Sequence, residues 1–538
     1  MIRAGALLLG MLVASGAAGE VGEWRLQGET HLRMDHYRVS GDERLSPYAH
    51  EGNQSFQELN LQLSGRPTVN QYWELNTSGV LSQSDYRTDD QGFTAEWLHL
   101  RHENTAGALP LRLDLGDQYA RFSRYTLDRT LQAARVEVQA AEFTDWQNSV
   151  VWMSGRDRSD WVGSTETGDR FHGGSWLLQH DRYGRYAVNV VQAEPDDDRG
   201  TETDDHLVSS LAAEWKLPLL RQAVAAEAEW AWLDGSANAA DTGGDQAVGL
   251  RLDGKDRYLP LGYDFRYERF GEGFEPAGVH REPSARLADS RRLGAGGNWR
   301  FRTGAEFHGR YDRYVDDASN QALAVDDWLL RLKAPATFGL TPRLGSEWAL
   351  RFRDRENRVG TVDTEATEAS WRLRLADDGT NTVTRLNLRW YELDDHAAGL
   401  LTRRERHLSL DHTRGLMLGG ATLRVTPGVD YRHQTGHGEV TLLNPTLRVG
   451  ATRDRHRMGL NLGFRELDRP TASDLHEYSL RVDYRYSLRT HVFGFEYDHM
   501  LRDLRQEDDM EAWRAGAFWR YSFDHVLTGR AMPAPHGS

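Results

Sequence analysis

The chain has 538 residues, of which 39% are hydrophobic, a formal net charge of −16 and no cysteine. The lack of cysteine excludes disulfides, thiolate metal sites and covalent haem attachment on this chain, and the negative charge argues against nucleic acid binding. A mean hydropathy of −0.67 is typical of soluble proteins, but it also fits a barrel whose strands carry charge on their inner half.

The first residues predict export. Arg3 is followed by an apolar run from Ala4 to Ala14 and then by small residues up to Gly19. This order is typical of a secretory signal, so we assign residues 1–19 to a signal peptide. The alternative is an uncleaved anchor helix, which is disfavoured because the run is shorter than the ~20 residues that span a bilayer.

Apolar and polar side chains then alternate from Trp24 to Phe523. Between Tyr478 and Tyr486, large apolar residues occupy every second position and are separated by Ser479, Arg481, Asp483 and Arg485. Successive side chains of a strand leave on opposite faces, so one face is apolar and the other charged. Turn residues divide residues 20–523 into about 26 strands, within a range of about 22–26. The pattern predicts an all-β fold: one large antiparallel, up-and-down transmembrane β-barrel.

The predicted connections alternate in length. Short ones fall at 66–69, 180–184, 302–304, 377–379 and 488–489. Longer polar ones fall at 40–54, 155–169, 194–204, 234–244, 271–290, 316–325, 354–366, 394–402 and 499–510. Outer-membrane barrels have short periplasmic turns and longer extracellular loops. We therefore expect the outer membrane of a Gram-negative bacterium, with both chain termini in the periplasm.

Two segments interrupt the pattern. Gly116 to Arg135 is rich in arginine and aromatic residues and falls where an external loop is expected. It either folds into the lumen as a constriction or extends above the membrane as a long hairpin. The candidate constriction residues are Asp117, Arg121, Arg124 and Arg129. Pro427 removes a ladder donor, which predicts a bulged or broken strand there.

The last predicted strand runs from Trp513 to Phe523. In it, Gly516 precedes Trp519, Tyr521 and Phe523, which share one face. This arrangement resembles the closing-strand signal of outer-membrane proteins. The resemblance implies that the barrel assembly machinery and outer-membrane lipid are partners of the chain. Residues 524–538 are predicted to form a flexible periplasmic tail.

No catalytic constellation is predicted. Adjacent pairs such as Asp35-His36 and Asp498-His499 point to opposite faces of a strand, so they cannot act together. The acidic run at 196–198 lacks the ordered ligand spacing of a calcium loop. We therefore predict no enzymatic activity, no cofactor and no metal.

The charged face is the one functional constellation. It is rich in arginine, with acidic residues on neighbouring strands, and the candidate lumen-lining residues are Arg331, Arg351, Arg353, Arg372, Arg374, Arg385, Arg389, Arg481, Arg485, Asp483, Glu496 and Asp498. One interpretation is a ladder of cross-strand ion pairs that keeps the wall hydrated and in register. The other is a surface for an anionic solute or for a protein plug.

In strand number, and in having no predicted plug or periplasmic domain, the chain resembles the barrel subunit of porin–cytochrome conduits. The resemblance implies a barrel that sheathes a periplasmic multihaem cytochrome. Our first hypothesis is a passive conduit, either a porin-like channel or an export pore for a solute or polymer. The second is the non-enzymatic sheath, and the third is a secreted all-β binding protein.

Overall fold

The structure is a computed structural model. It describes residues 22–86, 92–107, 109–143, 145–157, 169–194, 205–219, 222–234, 246–256, 259–271, 274, 278–279, 289–316, 322–335, 343–397, 401–436, 438–469, 474–504 and 509–528. The predicted signal peptide and most of the predicted tail lie outside these residues, as does the acidic run at 196–198.

The described part of the chain is almost entirely strand, with one short 3-10 turn at Glu43–Leu45. The strands are β1 (Glu23–Gly41), β2 (Gly52–Thr68), β3 (Gln71–Gln83), β4 (Gly92–Asn104), β5 (Leu111–Arg121), β6 (Leu127–Phe143), β7 (Trp146–Arg156), β8 (Arg170–His180), β9 (Gly184–Glu194), β10 (His206–Leu219), β11 (Gln222–Asp234), β12 (Gln246–Asp256), β13 (Leu261–Phe270), β14 (Gly278–Val279), β15 (Ser290–Arg300), β16 (Glu306–Asp316), β17 (Leu323–Ala334), β18 (Arg343–Asn357), β19 (Asp363–Asp377), β20 (Thr382–Asp395), β21 (Leu401–Leu418), β22 (Ala421–Thr435), β23 (Val440–Arg453), β24 (His456–Asp468), β25 (Leu475–Leu488), β26 (His491–Leu504) and β27 (Met510–Thr528).

These strands form one closed sheet. Each wall strand pairs antiparallel with its neighbours in the chain, and β1 pairs with both β2 and β27, which closes the ring. The two-residue β14 is bypassed because β13 pairs directly with β15, so the wall has 26 strands. The predicted fold class is confirmed. Within the described ranges, no helix is long and apolar enough to cross a membrane.

The register gives every wall position one of two faces. On β25, Arg481 lies opposite Asp498 and Asp483 lies opposite Glu496, while the intervening Val482 lies opposite Tyr497. Because partners directly opposite each other share a face, ionic residues collect on one side of the wall and apolar residues on the other. This separation follows the alternation in the sequence.

The connections divide the barrel into two ends. The short turns lie at one end, together with Glu23, where β1 begins, and Thr528, where β27 ends. We call this end the short-turn end and the other, which carries the remaining connections, the long-loop end.

Some strands extend further than predicted. Residues 354–366 were expected to form a loop, but β18 ends at Asn357 and β19 begins at Asp363.

The last strand is also longer than predicted. β27 continues past Phe523 to Thr528 and stays paired with β1, so the first five residues of the predicted tail belong to the wall.

Pro427 does not break its strand. β22 extends from Ala421 to Thr435, and Pro427 opposes Leu447 of β23 at an exposed outward position, but the pairing of β22 with β21 is interrupted between Val425 and Gly428.

Candidate functional site

The outer face of the barrel carries large apolar side chains that remain exposed. Trp152, Trp230, Trp328 and Trp348 are each about half exposed, and Trp348 stacks on Trp371 at a ring separation of 4.9 Å. A water-facing surface rarely presents a contiguous apolar band of this size. The outer face therefore suits contact with lipid.

The inner face holds all twelve residues that the sequence predicted to line the lumen. Most of the arginines among them form cross-strand ion pairs. Arg351 Nε lies 2.8 Å from Asp327 Oδ1, Arg353 Nη2 lies 2.9 Å from Asp327 Oδ2, and Arg389 Nε lies 2.9 Å from Glu368 Oε1. Glu347 serves both Arg331, at 3.4 Å, and Arg372, at 3.6 Å. These pairs match the ion-pair ladder considered from the sequence.

The arginines of β17 to β25 remain open to water. The side chain of Arg372 is 63% exposed, that of Arg448 is 54% exposed and that of Arg481 is 52% exposed, although all three point into the barrel. Inward side chains this accessible have no described residue packed over them. We call the inner face of β17 to β25 the open arc.

Two pairs of arginines on the open arc are placed directly opposite each other. Arg374 of β19 opposes Arg385 of β20, and Arg457 of β24 opposes Arg485 of β25. Among the residues that the structure describes, none of the four forms an ion pair. Arg485 instead lies 5.8 Å from the centre of the Phe518 ring, and Asp483, two residues away on the same face, packs against Gly459.

The opposite part of the interior is covered by the hairpin of β5 and β6. β5 pairs with β4 only as far as Gly116, whose positive φ of 96° turns the strand out of the wall. Asp117 Oδ2 accepts a hydrogen bond from the Leu98 backbone N–H at 2.7 Å. This bond gives a partner to a β4 backbone group beyond the point where β5 leaves the wall. We call residues 117–131 the inner hairpin.

The inner hairpin packs on a small apolar core inside the barrel. Ala120, Tyr125, Leu127 and Leu131 of the hairpin are buried against inward residues of β7 to β13, namely Met153, Phe171, Val191, Val208, Leu233 and Phe270. Gly249 of β12 leaves room for Tyr125, since a Cβ at that position would collide with the phenol oxygen. Phe274, which follows β13, belongs to the same core, and the backbone of β14 pairs with β6 at Leu127 and Asp128.

Polar contacts fix the tip of the inner hairpin to the wall. Arg124 Nη1 donates to Glu268 Oε1 of β13 at 2.7 Å, and Ser123 Oγ lies 3.3 Å from Ser210 Oγ of β10. Arg129 forms an ion pair with Asp157 and stacks over Phe171 at 4.9 Å. The segment therefore folds inward and does not project above the barrel. Arg121, the last residue of β5, lines a cavity together with Ser123, Arg124 and Tyr125.

The loop between β1 and β2 covers a second part of the interior. Tyr48 packs edge-on against Tyr37 at 5.0 Å, and Arg502 of β26 donates a hydrogen bond to the carbonyl of Leu45. Burial, with the nearby Asp498 carboxylate, raises the pKa of Tyr48 to about 12, so this phenol is neutral at physiological pH.

Beneath that loop, an ionic network joins the first strand to the last two. Arg33 of β1 donates to Asp35 at 2.7 Å and to Glu496 of β26 at 2.8 Å, and Arg514 of β27 donates to Glu496 at 3.0 Å. The side chains of Asp35 and Glu496 are only 3% and 8% exposed. Gly516 provides the space for Asp35, because a Cβ there would collide with its carboxylate.

The remaining residues of the predicted closing-strand signal lie on the outer face. Trp519, Tyr521 and Phe523 follow one another along β27, and Trp519 Nε1 donates to His491 Nδ1 at 3.2 Å. Their recognition by the assembly machinery stays a prediction.

Two features of the site were not predicted from the sequence. The first is the apolar core, although Val150-Val151-Trp152-Met153 shows no alternation and signals a strand that is apolar on both faces. The second is the ionic network at the closure, which joins residues 463 positions apart and leaves no local pattern. Among the described residues, no group of three or more acidic or histidine side chains is arranged to hold a metal ion.

A closed antiparallel wall, an apolar outer band and a charged, water-accessible interior define a transmembrane β-barrel of the outer-membrane type. No protein-family model matches the chain, and no curated protein matches its sequence.

Several solved β-barrels are similar to the chain at low scores. OccAB2 of Acinetobacter baumannii matches with a TM-score of 0.34 and 10% identity, covering 62% of this chain and 92% of that one. The translocation pore of the P pilus usher PapC matches with a TM-score of 0.35 and 10% identity, covering 92% and 99%. Wzi of Escherichia coli, described as a carbohydrate-binding β-barrel involved in capsule assembly, matches with a TM-score of 0.32 and 9% identity, covering 61% and 80%. At these values the matches identify no function.

Proposed function

We propose that the chain is a passive conduit through the bacterial outer membrane, with a bore narrowed from one side by the inner hairpin. The observation that carries this proposal is the open arc, whose charged side chains point into the barrel and remain accessible to water. A ring of 26 strands spaced ~4.8 Å apart and tilted roughly 40° is about 50 Å across. The inner hairpin and the β1–β2 loop are too small to fill such a ring, so the residues that the structure describes leave a passage beside them.

The inner hairpin then acts as the constriction of that passage. The hairpin is held by the ion pairs of Arg124 with Glu268 and of Arg129 with Asp157, and by the fit of Tyr125 over Gly249. The hairpin joins the wall only at its base, where β5 pairs with β4 as far as Gly116 and β6 pairs with β7 from Gln132 onward, so the position of its tip depends on these contacts. We propose no enzymatic step, because the charged groups of the bore serve in ion pairs or face water.

Ion conductance tests the proposal. The purified full chain in planar lipid bilayers should give stable currents. The Arg124→Gln/Glu268→Gln variant should give larger or noisier currents, since the tip of its hairpin is held less firmly. The control is Arg300→Gln/Glu306→Gln, which removes an exposed ion pair at the short-turn end and should leave the currents unchanged. A folded chain that inserts without any current would contradict the conduit.

The second candidate is a sheath around a periplasmic protein such as a multihaem cytochrome. The open arc favours a sheath, because it leaves a wide, charged entrance at the short-turn end. The inner hairpin disfavours it, because the hairpin occupies space that a folded partner would need. The bilayer experiment separates the two candidates, since a sheath without its partner either leaves a very large pore or stays silent.

A further inference from the structure

The two opposed arginine pairs lie at the same end of the open arc. Arg374 and Arg385 are each three residues inside their strands from the short turn that joins β19 to β20. Arg457 is one residue, and Arg485 three residues, from the short turns that flank β24 and β25. All four side chains point inward and are exposed. They therefore line the mouth of the bore at the short-turn end.

Like charges directly opposite each other destabilise a sheet. Arg251 of β12 and Arg266 of β13 are opposed in the same way, but they form ion pairs with Asp253 and Glu268, each at 2.7 Å. The two pairs on the open arc differ because none of their arginines has an acidic partner among the described residues.

Elsewhere on the arc, most inward arginines have an acidic partner, such as Arg389 with Glu368 and Arg432 with Glu405. Even Asp411, which lies opposite Arg385, is engaged by Arg448 of β23 at 2.6 Å. Arg424 of β22, between the two pairs, is also inward, exposed and without an ion pair in the part of the chain that the structure describes.

We propose that Arg374 with Arg385, and Arg457 with Arg485, form two anion-binding subsites for the oxyanion groups of a solute that enters the bore. Guanidinium groups bind carboxylate, sulfate and phosphate through paired hydrogen bonds, and two of them side by side concentrate positive potential on one such group. This inference rests on the proposed conduit and adds its substrate class: multivalent oxyanions.

The spacing of the subsites bears on the size of that solute. Four strand intervals separate β20 from β24, which corresponds to roughly 20 Å along the wall. Arg424 lies between the two pairs. A small oxyanion would occupy one subsite at a time, whereas a flexible chain with repeated anionic groups would occupy both and bind more tightly through the linkage. Inorganic phosphate and polyphosphate therefore serve as probes of the same chemistry at two sizes.

The test measures reversal potential and current block on the full chain in planar bilayers. The unmodified chain should be anion-selective in a KCl gradient, and polyphosphate added at the short-turn end should block the current at concentrations well below those of phosphate. Each double variant, Arg374→Gln/Arg385→Gln or Arg457→Gln/Arg485→Gln, should weaken the polyphosphate block about tenfold. Block by phosphate alone, at equal phosphorus content, would indicate a small solute as the source.

The matched control is Arg404→Gln/Arg406→Gln, which removes the same charge from the outer face of β21 and should change neither quantity. Persistent current with cation selectivity and no block would overturn the anion subsites and leave the conduit standing. Absence of current would overturn the conduit instead. Calorimetric titration of polyphosphate into the detergent-solubilised chain would then test the subsites. A loss of affinity confined to the two double variants would support the subsites, and an absence of binding would overturn them.

Discussion

Arg33 and Glu496 are joined by a hydrogen-bonded ion pair of 2.8 Å, although one lies on the first strand and the other on the penultimate strand. The pair crosses β27, which lies between them, and Arg514 of that strand donates to the same carboxylate at 3.0 Å. Backbone hydrogen bonds between β1 and β27 close the sheet, but such bonds would form equally well in a shifted register. The ionic network adds side-chain specificity to the closure.

Glu496→Gln should therefore destabilise the closed barrel. The substitution leaves Arg33 and Arg514 close together without their shared carboxylate, and breaking a buried pair costs about 3 kcal/mol. The measurement is the urea midpoint of the folded form, read from the band shift of heated and unheated samples in electrophoresis.

Arg25→Gln provides the matched control for that substitution. Arg25 also joins the first strand to the last, through Asp524 at 2.8 Å, but both side chains are about half exposed. Its loss should barely move the midpoint, because water screens such a pair. Equal effects of Glu496→Gln and Arg25→Gln would show that the buried network adds nothing to closure.

A disulfide should lock the inner hairpin to the wall. Ser123 and Ser210 approach to 3.3 Å between their hydroxyl oxygens, and the chain has no natural cysteine to compete. Ser123→Cys/Ser210→Cys should form the bond on mild oxidation, as detected by loss of labelling with a maleimide polymer. The pair Ser123→Cys/Ser370→Cys, whose second residue faces the open arc, should stay reduced. A disulfide in this control as strong as in the test pair would mean that the hairpin is not docked on β10.

Gly249→Val should displace the inner hairpin. The added side chain occupies the position of the Tyr125 phenol, so the tip can no longer seat against β12. In the Ser123→Cys/Ser210→Cys background, the yield of disulfide should fall several-fold. Gly450→Val is the control, because Gly450 also points inward but has open space around it. An unchanged yield in both variants would exclude this account of the docking.

Leu350→Arg should impair insertion or stability, since Leu350 lies at the centre of β18 on the outer face. A lipid-facing arginine at mid-depth costs about 2–4 kcal/mol. Ser370→Arg, at the centre of β19 on the inner face, should be tolerated because its side chain meets water. The folded fraction in lipid vesicles compares the two. Equal losses would contradict the assignment of the faces.

The wall could be predicted from the sequence because its pattern is local. Alternation at Tyr478 to Tyr486 assigns each side chain to a face whatever strand lies beside it. The inner hairpin could not be placed in the same way. Its position depends on Glu268 and Gly249, more than a hundred residues further along the chain, so both inward folding and outward projection were compatible with the sequence.

The placement of charge on the bore was predictable, but its pairing was not. In the sequence, Arg374 and Arg351 both occupy the charged face of an alternating strand. In the structure, Arg351 donates a hydrogen bond to Asp327 of the neighbouring strand, whereas Arg374 lies opposite Arg385. This difference depends on register, which a single sequence leaves open by steps of two residues.

The accessibility of spin labels to oxygen and to a water-soluble nickel complex tests the central claim most directly. Labels at Leu480, Val482 and Tyr484 should collide with oxygen dissolved in lipid, and labels at Arg481 and Asp483 should collide with the nickel complex. The reverse pattern, or equal access at all five positions, would contradict a lipid-facing wall around a water-filled, charged bore.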